Sequence, residues 1–365
     1  MIASARFARS ISAAALIAAS SACSNAGAGN SVPATAVAPS HTVAAGARVR
    51  LREFSDLPRY DGYYFPTALT LGPDGALWVA DDIDQDAGES AIARVTTSGK
   101  RTNTYYYPNS ASPAFAGITT GSDGALWIVD AGDGQILRLT TGGVFSAFPV
   151  GNMSPYGITG GPDGALWFTE NGFNTATIGR ITTQGTITTY TTGISPGAVL
   201  QGIAVGHDGA LWFTESSGDR IGRITTAGTI KEYAKGITGG SEPYSIAPGP
   251  DGALWFTEMA GGRIGRITTA GKVTEYSRGI TPSEHPTGIA AGADNAMWFT
   301  ESEGSYQYYN NARVGRIALD GTIAEYGHFG ASSDPTGIVE GPLGDLWFVE
   351  TAANKLGRVR LLPSV

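Results

Sequence analysis

Two kinds of ionisable residue recur along this chain at nearly fixed distances from tryptophan. An acid stands three residues after each one, at Asp81, Asp130, Glu170, Glu215, Glu258, Glu301 and Glu350. An arginine follows further on, at Arg94, Arg138, Arg180, Arg223, Arg266, Arg316 and Arg358. A carboxylate with a free oxygen can accept a proton or help hold a hard cation such as Mg2+. Catalysis needs one or two such groups and not seven. The recurrence therefore predicts an acid–arginine ion pair inside each repeat, organising one hairpin.

Two less regular groups also carry chemistry. Asp82-Ile-Asp84-Gln-Asp86-Ala-Gly88-Glu89 resembles the start of a calcium loop, but its glycine is one position late and no glutamate closes it at the required distance. A solvated acidic loop is the expectation. The second group is aromatic. Tyr156 and Tyr244 each immediately precede a strand, and Tyr306 and Tyr308 lie in a long loop. A phenol combines an apolar body with one polar tip, which suits a peptide, a sugar or another small molecule. All four are expected to bind ligand.

The elements that position these residues follow from the repeat. The seven tryptophans are spaced 49, 40, 45, 43, 43 and 49 residues apart, and the cleanest units read GIAVGHDGALWFTE (202–215) and SIAPGPDGALWFTE (245–258). A period in the forties with four strand-like segments marks the blades of a propeller. In the fourth unit the expected strands are 202–205, 210–215, 221–225 and 229–233, with Asp208-Gly209 as a two-residue hairpin turn. Leu211 and Phe213 alternate with Trp212, so the second strand is apolar on both faces. A blade stacked between neighbours buries both. The tryptophan is therefore read as inter-blade packing.

The seventh unit ends after one hairpin and a third strand, 356–362, while 47–54 (ARVRLREF) is β-like and belongs to no unit. Pairing the two covers the last open edge. The expected fold is all-β: a seven-bladed β-propeller of four-stranded blades over 47–365, closed by the N-terminal strand completing the last blade. The turns between first and second strands, and between third and fourth, are short and uniform. The other two kinds of connection vary, and they share the opposite face. Variable loops on a rigid scaffold carry binding, so the site is expected there, around the channel.

The remaining sequence concerns export. Arg6 and Arg9 precede the apolar run 11–19, and Ser20-Ser21-Ala22-Cys23 follows. This reads as a signal peptide over 1–23. Small residues before the single cysteine resemble a bacterial lipobox, in which Cys23 would be lipidated; cleavage near Ala22 is the alternative. Residues 24–46 read as a flexible tether. The expectation is an exported protein, either an envelope lipoprotein or a periplasmic or secreted one, touching membrane only through Cys23. A formal net charge of -8 with no basic stripe excludes nucleic acid as a partner. A monomer is expected.

The unit PxGI…GPDGALWFTE…IGRITTxGxITEY, repeated over roughly residues 48–362, resembles that of the virginiamycin B lyase family. The resemblance implies a seven-bladed propeller that opens the lactone of type B streptogramins by a Mg2+-assisted C–O elimination, with histidine moving the proton. It places the family's two catalytic histidines at Thr287 and Thr336, and two family glutamates at Asp334 and Glu350. Those acids would hold the metal. Threonine cannot take up a proton near neutrality as imidazole can. His285, just before Pro286-Thr287, is the best substitute for the base. Two functions follow. One is a binding propeller for a small cyclic peptide, sugar or related ligand. The other is a C–O lyase using His285, Asp334 and Glu350. A lactonase-like hydrolase is a third class, but no set of channel-lining metal ligands supports it.

Overall fold

The computed structural model describes residues 48–55, 57, 64–83, 90–108, 114–151, 153–173, 175–282, 284–303, 312–327, 329 and 333–362. The expected signal peptide, Cys23, the tether, the loop 84–89, Tyr306 and Tyr308 lie outside them. The described residues form seven four-stranded antiparallel sheets. Six are consecutive in sequence. The seventh has the strand order Val49–Phe54, Lys355–Leu361, Leu346–Glu350, Pro335–Glu340, so the N-terminal strand supplies the missing outer strand. The register runs from Val49↔Leu361 to Phe54↔Leu356.

One packing unit repeats around the ring. Each tryptophan is buried. Trp78, for example, clusters with Phe115, Ile118, Leu126 and Ile128 of the following blade, as the inter-blade reading requires. In blades 1 to 6 the outer strand lays Tyr105, Phe148, Tyr190, Tyr233, Tyr276 or Tyr326 on that blade's tryptophan, with centroids 5.5–5.6 Å apart. In blade 7 the closing strand provides the equivalent ring, Phe54, stacked 5.1 Å from Trp347. Gly99 of blade 1 packs against Phe54, where a Cβ would come within 1.9 Å of the ring. Closure thus reproduces the contact that Gly143, Gly185, Gly228, Gly271 and Gly321 make with the outer ring of the preceding blade.

The fourth blade has strands Leu200–Val205, Leu211–Glu215, Arg220–Ile224 and Ile230–Tyr233, each within two residues of expectation. Its first turn differs from the expected two-residue hairpin. Gly209 donates to the Gly206 carbonyl at 3.0 Å and alone takes a positive φ, 70°. This is a longer turn with glycine in its last position. The aspartate is thereby released for a different task.

That task corrects the expected ion pair. Asp208 accepts from Trp212 Nε1 at 3.1 Å through one oxygen and from Arg223 Nε at 2.7 Å through the other. The same pattern holds for Asp74, Asp123, Asp163, Asp251 and Asp294 with their tryptophans and arginines. Burial opposes the charge of Asp74, Asp123, Asp163, Asp208 and Asp251, but the tryptophan and arginine bonds outweigh it and hold their carboxyls below the ordinary range. The repeated arginines are thus tied to the turn opposite the variable loops. Strand register explains why: Arg223 lies beside Trp212, three residues short of Glu215.

Candidate functional site

The first strands of the blades line the axis, and every one is bulged. In blade 3 Pro155 pairs with Glu170 and Ile158 with Phe168, so Tyr156 and Gly157 oppose Thr169 alone. Equivalent breaks occur at Thr67, Ala116, Gln201, Tyr244, Thr287 and Thr336. A bulge bends the strand, leaves a backbone N–H outside the ladder and re-aims a side chain. In blades 3 to 6 a threonine two residues after tryptophan satisfies that N–H. Thr300 Oγ1 accepts from Gly288 N at 2.8 Å and donates to the Thr336 carbonyl of the next blade at 2.5 Å. Thr169, Thr214 and Thr257 do the same between Gly157, Gly202 and Ser245 and the carbonyls of Gln201, Tyr244 and Thr287.

Thr287 and Thr336 are therefore parts of the scaffold. Thr287 is 3% exposed, and its hydroxyl donates to the Pro335 carbonyl at 3.0 Å beside Thr300 Oγ1 at 2.9 Å. Thr336 is fully buried, with its hydroxyl 2.8 Å from that of Thr351, which donates to the Pro66 carbonyl at 2.8 Å.

The tyrosines expected at the mouth meet each other. Tyr156 Oη and Tyr244 Oη are 2.7 Å apart, with their rings edge to face at 78°. Blades 3 and 5 are separated by blade 4, so the pair reaches across the axis. Tyr244 is buried and Tyr156 half-buried. Burial raises both phenols above the ordinary tyrosine range, and the Asp334 carboxylate adds to the shift at Tyr244.

His285, Asp334 and Glu242 hold the same place in adjacent blades, each just before the proline that opens the bulge (His285-Pro286, Asp334-Pro335, Glu242-Pro243). His285 Nδ1 lies 2.8 Å from the carbonyl of Met259 in blade 5. A carbonyl only accepts, so Nδ1 carries the hydrogen, and Nε2 of the neutral ring keeps its lone pair. The strand partner of His285 is Ser302. The Ser302 hydroxyl bonds the Asp334 carboxyl, which burial nonetheless raises above its ordinary range. Asp334 takes a φ of +42°, a conformation unfavourable for a side chain with a Cβ. Sequence reasoning singled out His285 and Asp334 but missed Ser302 and Met259, whose residue types carry no signal of the link.

The acids after tryptophan end the second strands on this same face. Glu215, Glu258, Glu301 and Glu350 are fully buried, and none of their carboxylate oxygens has a hydrogen-bond partner among the described residues. Arg220 and Arg263 approach Glu215 and Glu258 at 3.7 and 3.9 Å. Burial, then the carboxylates of Glu232, Glu275 and Glu53, pushes Glu215, Glu258 and Glu350 up to about 8. Burial, then Glu325 and Glu284, pushes Glu301 up to about 9.

These states bear on a magnesium ion, which takes one or two ionised carboxylates with water in its remaining positions. Glu350 faces Glu53 and Lys355, while Asp334 faces Ser302. No group of three or more His, Cys, Asp and Glu side chains among the described residues is arranged to hold a metal. With the Thr287 and Thr336 hydroxyls already engaged, the described residues do not fit the ion.

Comparison with known proteins places this geometry in context. The profile of the virginiamycin B lyase family matches residues 44–154 and 151–364. The solved virginiamycin B lyase of Staphylococcus aureus is 35% identical, with a TM-score of 0.74, over 86% of this chain and 100% of that one. A catalytically inactive histidine-to-alanine variant of that enzyme, solved with quinupristin, matches at 35% identity and a TM-score of 0.75 over the same shares. The extracellular domain of a two-component system protein of B. thetaiotaomicron shares the fold at 16% identity and a TM-score of 0.65, over 86% of this chain and 42% of that one. A comparison with curated protein sequences returned no significant match.

Proposed function

This chain belongs to the virginiamycin B lyase family, and from that premise we propose that it binds a small cyclic peptide or a related ligand at the loop-rich mouth of the channel, without the family's general base. One observation carries the reading. Thr287 and Thr336, at the positions the resemblance assigns to histidine, are buried hydroxyls committed to blade-to-blade hydrogen bonds. Neither takes up a proton near neutrality. The bulged strands, the tyrosine pair and the variable loops remain, which suits recognition. Export belongs to the same reading and rests on the signal-like pattern of residues 1–23, with Cys23 as the only link to a membrane.

Titration calorimetry of the propeller with quinupristin tests this. Saturable binding supports it, and the absence of binding to type B streptogramins and to linear peptides of matching sequence overturns it.

A second reading is favoured by the His285–Met259 bond. A histidine with Nδ1–H held by a carbonyl presents Nε2 as a base. The chain is then a C–O lyase with His285 moving the proton and Asp334 and Glu350 beside it. Lactone opening that disappears in His285→Ala establishes this reading; an inert wild-type protein removes it.

A further inference from the structure

Tyr156, Gln201 and Tyr244 are the bulge residues of blades 3, 4 and 5. Their backbones are in close contact. A Cβ on Gly157 would lie 2.6 Å from the Gln201 carbonyl oxygen, and one on Gly202 would lie 2.9 Å from that of Tyr244. Only glycine permits this approach, so the three positions stand side by side.

Their hydrogen bonds do not balance. Two neutral phenols carry two protons, and the bridge between Tyr156 and Tyr244 uses one. Neither phenol oxygen has another partner among the described residues, so one O–H is left over. On the intervening blade Gln201 Nε2 donates to Ser216 Oγ at 3.3 Å. Gln201 Oε1 is buried and has no partner among the described residues. A spare donor and a spare acceptor thus stand on neighbouring bulges, both in a setting where an unmade hydrogen bond is costly. A secondary amide carries one acceptor and one donor on a single planar unit, the two pointing to opposite sides in its trans form.

We propose that Tyr156, Gln201 and Tyr244 form an amide-binding subsite in which a ligand carbonyl accepts the spare phenol proton and its N–H donates to Gln201 Oε1. The inference deepens the binding reading above and rests on it. It assigns the ligand class as one with an exposed –CO–NH– unit, and it disfavours an ester at this spot, which lacks the N–H.

N-methylacetamide and methyl acetate differ in that N–H. Protein labelled with 13C at the tyrosine Cζ is titrated with each, and the Tyr156 and Tyr244 signals are assigned by the two single phenylalanine variants. The amide is expected to shift both signals saturably and to bind about fivefold more tightly than the ester, the equivalent of one net hydrogen bond. In Gln201→Leu that ratio falls to about one. In the double variant Tyr156→Phe with Tyr244→Phe amide binding weakens further, while either single variant keeps one free O–H and binds. Equal binding of amide and ester by the wild-type protein overturns the subsite, as does a ratio unchanged in Gln201→Leu. If quinupristin binds while amide and ester are not distinguished, this inference fails alone. If the amide is preferred while quinupristin does not bind, the binding reading fails alone.

Discussion

The phenol oxygens of Tyr156 and Tyr244 are 2.7 Å apart, although the two residues belong to blades separated by a third. The contact joins two separate sheets. It requires the ring to place the bulges of blades 3 and 5 across a common axis, and the bulges to turn both side chains inward. The scaffold's geometry and the site's chemistry meet in that one hydrogen bond.

Burial holds both phenols protonated above the ordinary tyrosine range of about 10. Spectrophotometric titration of phenolate absorbance should therefore show two tyrosines that fail to ionise with the rest. The double phenylalanine variant should lose that late fraction and leave the main titration unchanged.

Thr300 joins a bulge N–H of its own blade to a carbonyl of the next. Thr300→Val keeps the shape and leaves both backbone groups buried and unpaired, so urea denaturation should show a loss of about 1–3 kcal/mol. The exposed Thr188→Val should stay within about 0.5 kcal/mol of the parent.

Phe54 completes the last blade by stacking on Trp347 and filling the space above Gly99. Phe54→Ala should cost about 3 kcal/mol and lower the thermal midpoint of the whole ring, because the closing contact is lost with the side chain. Phe54→Tyr, which mimics the ring used by most other blades, should recover most of the loss.

Glu215, Glu258, Glu301 and Glu350 keep protons in the folded state up to about 8 or 9, against an ordinary value of 4.5. Within that interval the native state binds more protons than the unfolded chain, so their contribution to stability is fully present below 4.5 and falls as pH rises. The turn aspartates, with lowered carboxyls, act in the opposite sense and only at lower pH. Denaturant midpoints taken at the two ends of the interval should be lower at the alkaline end. Glu301→Gln should reduce that difference.

The propeller was legible because its signals are local: tryptophan spacing and a glycine turn recur in every unit, and one β-like segment, 47–54, belongs to none. The site was legible only in outline. Arg223 was expected to pair with Glu215, yet strand register sets it beside Trp212 and Asp208. Linear distance from tryptophan does not reveal which end of a hairpin two residues share. The threonine of the WFTE unit did carry a recurrent signal, and its task follows from the bulge, which no sequence period announces. The Tyr156–Tyr244 pair depends on closure of the ring, and Ser302 on which blade stands next. Both are properties of the assembled ring and not of any one repeat.

Thr287 and Thr336 leave this family scaffold with recognition in place of proton transfer. This is tested most directly by incubating the propeller with quinupristin and following one sample by calorimetry and by chromatography with mass detection. Elimination at the ester yields a linear product of unchanged mass, so a shift in retention at constant mass is its signature. A binding propeller gives saturable binding with all quinupristin recovered at its original retention. A new peak of the same mass, growing with time and protein concentration, would contradict it.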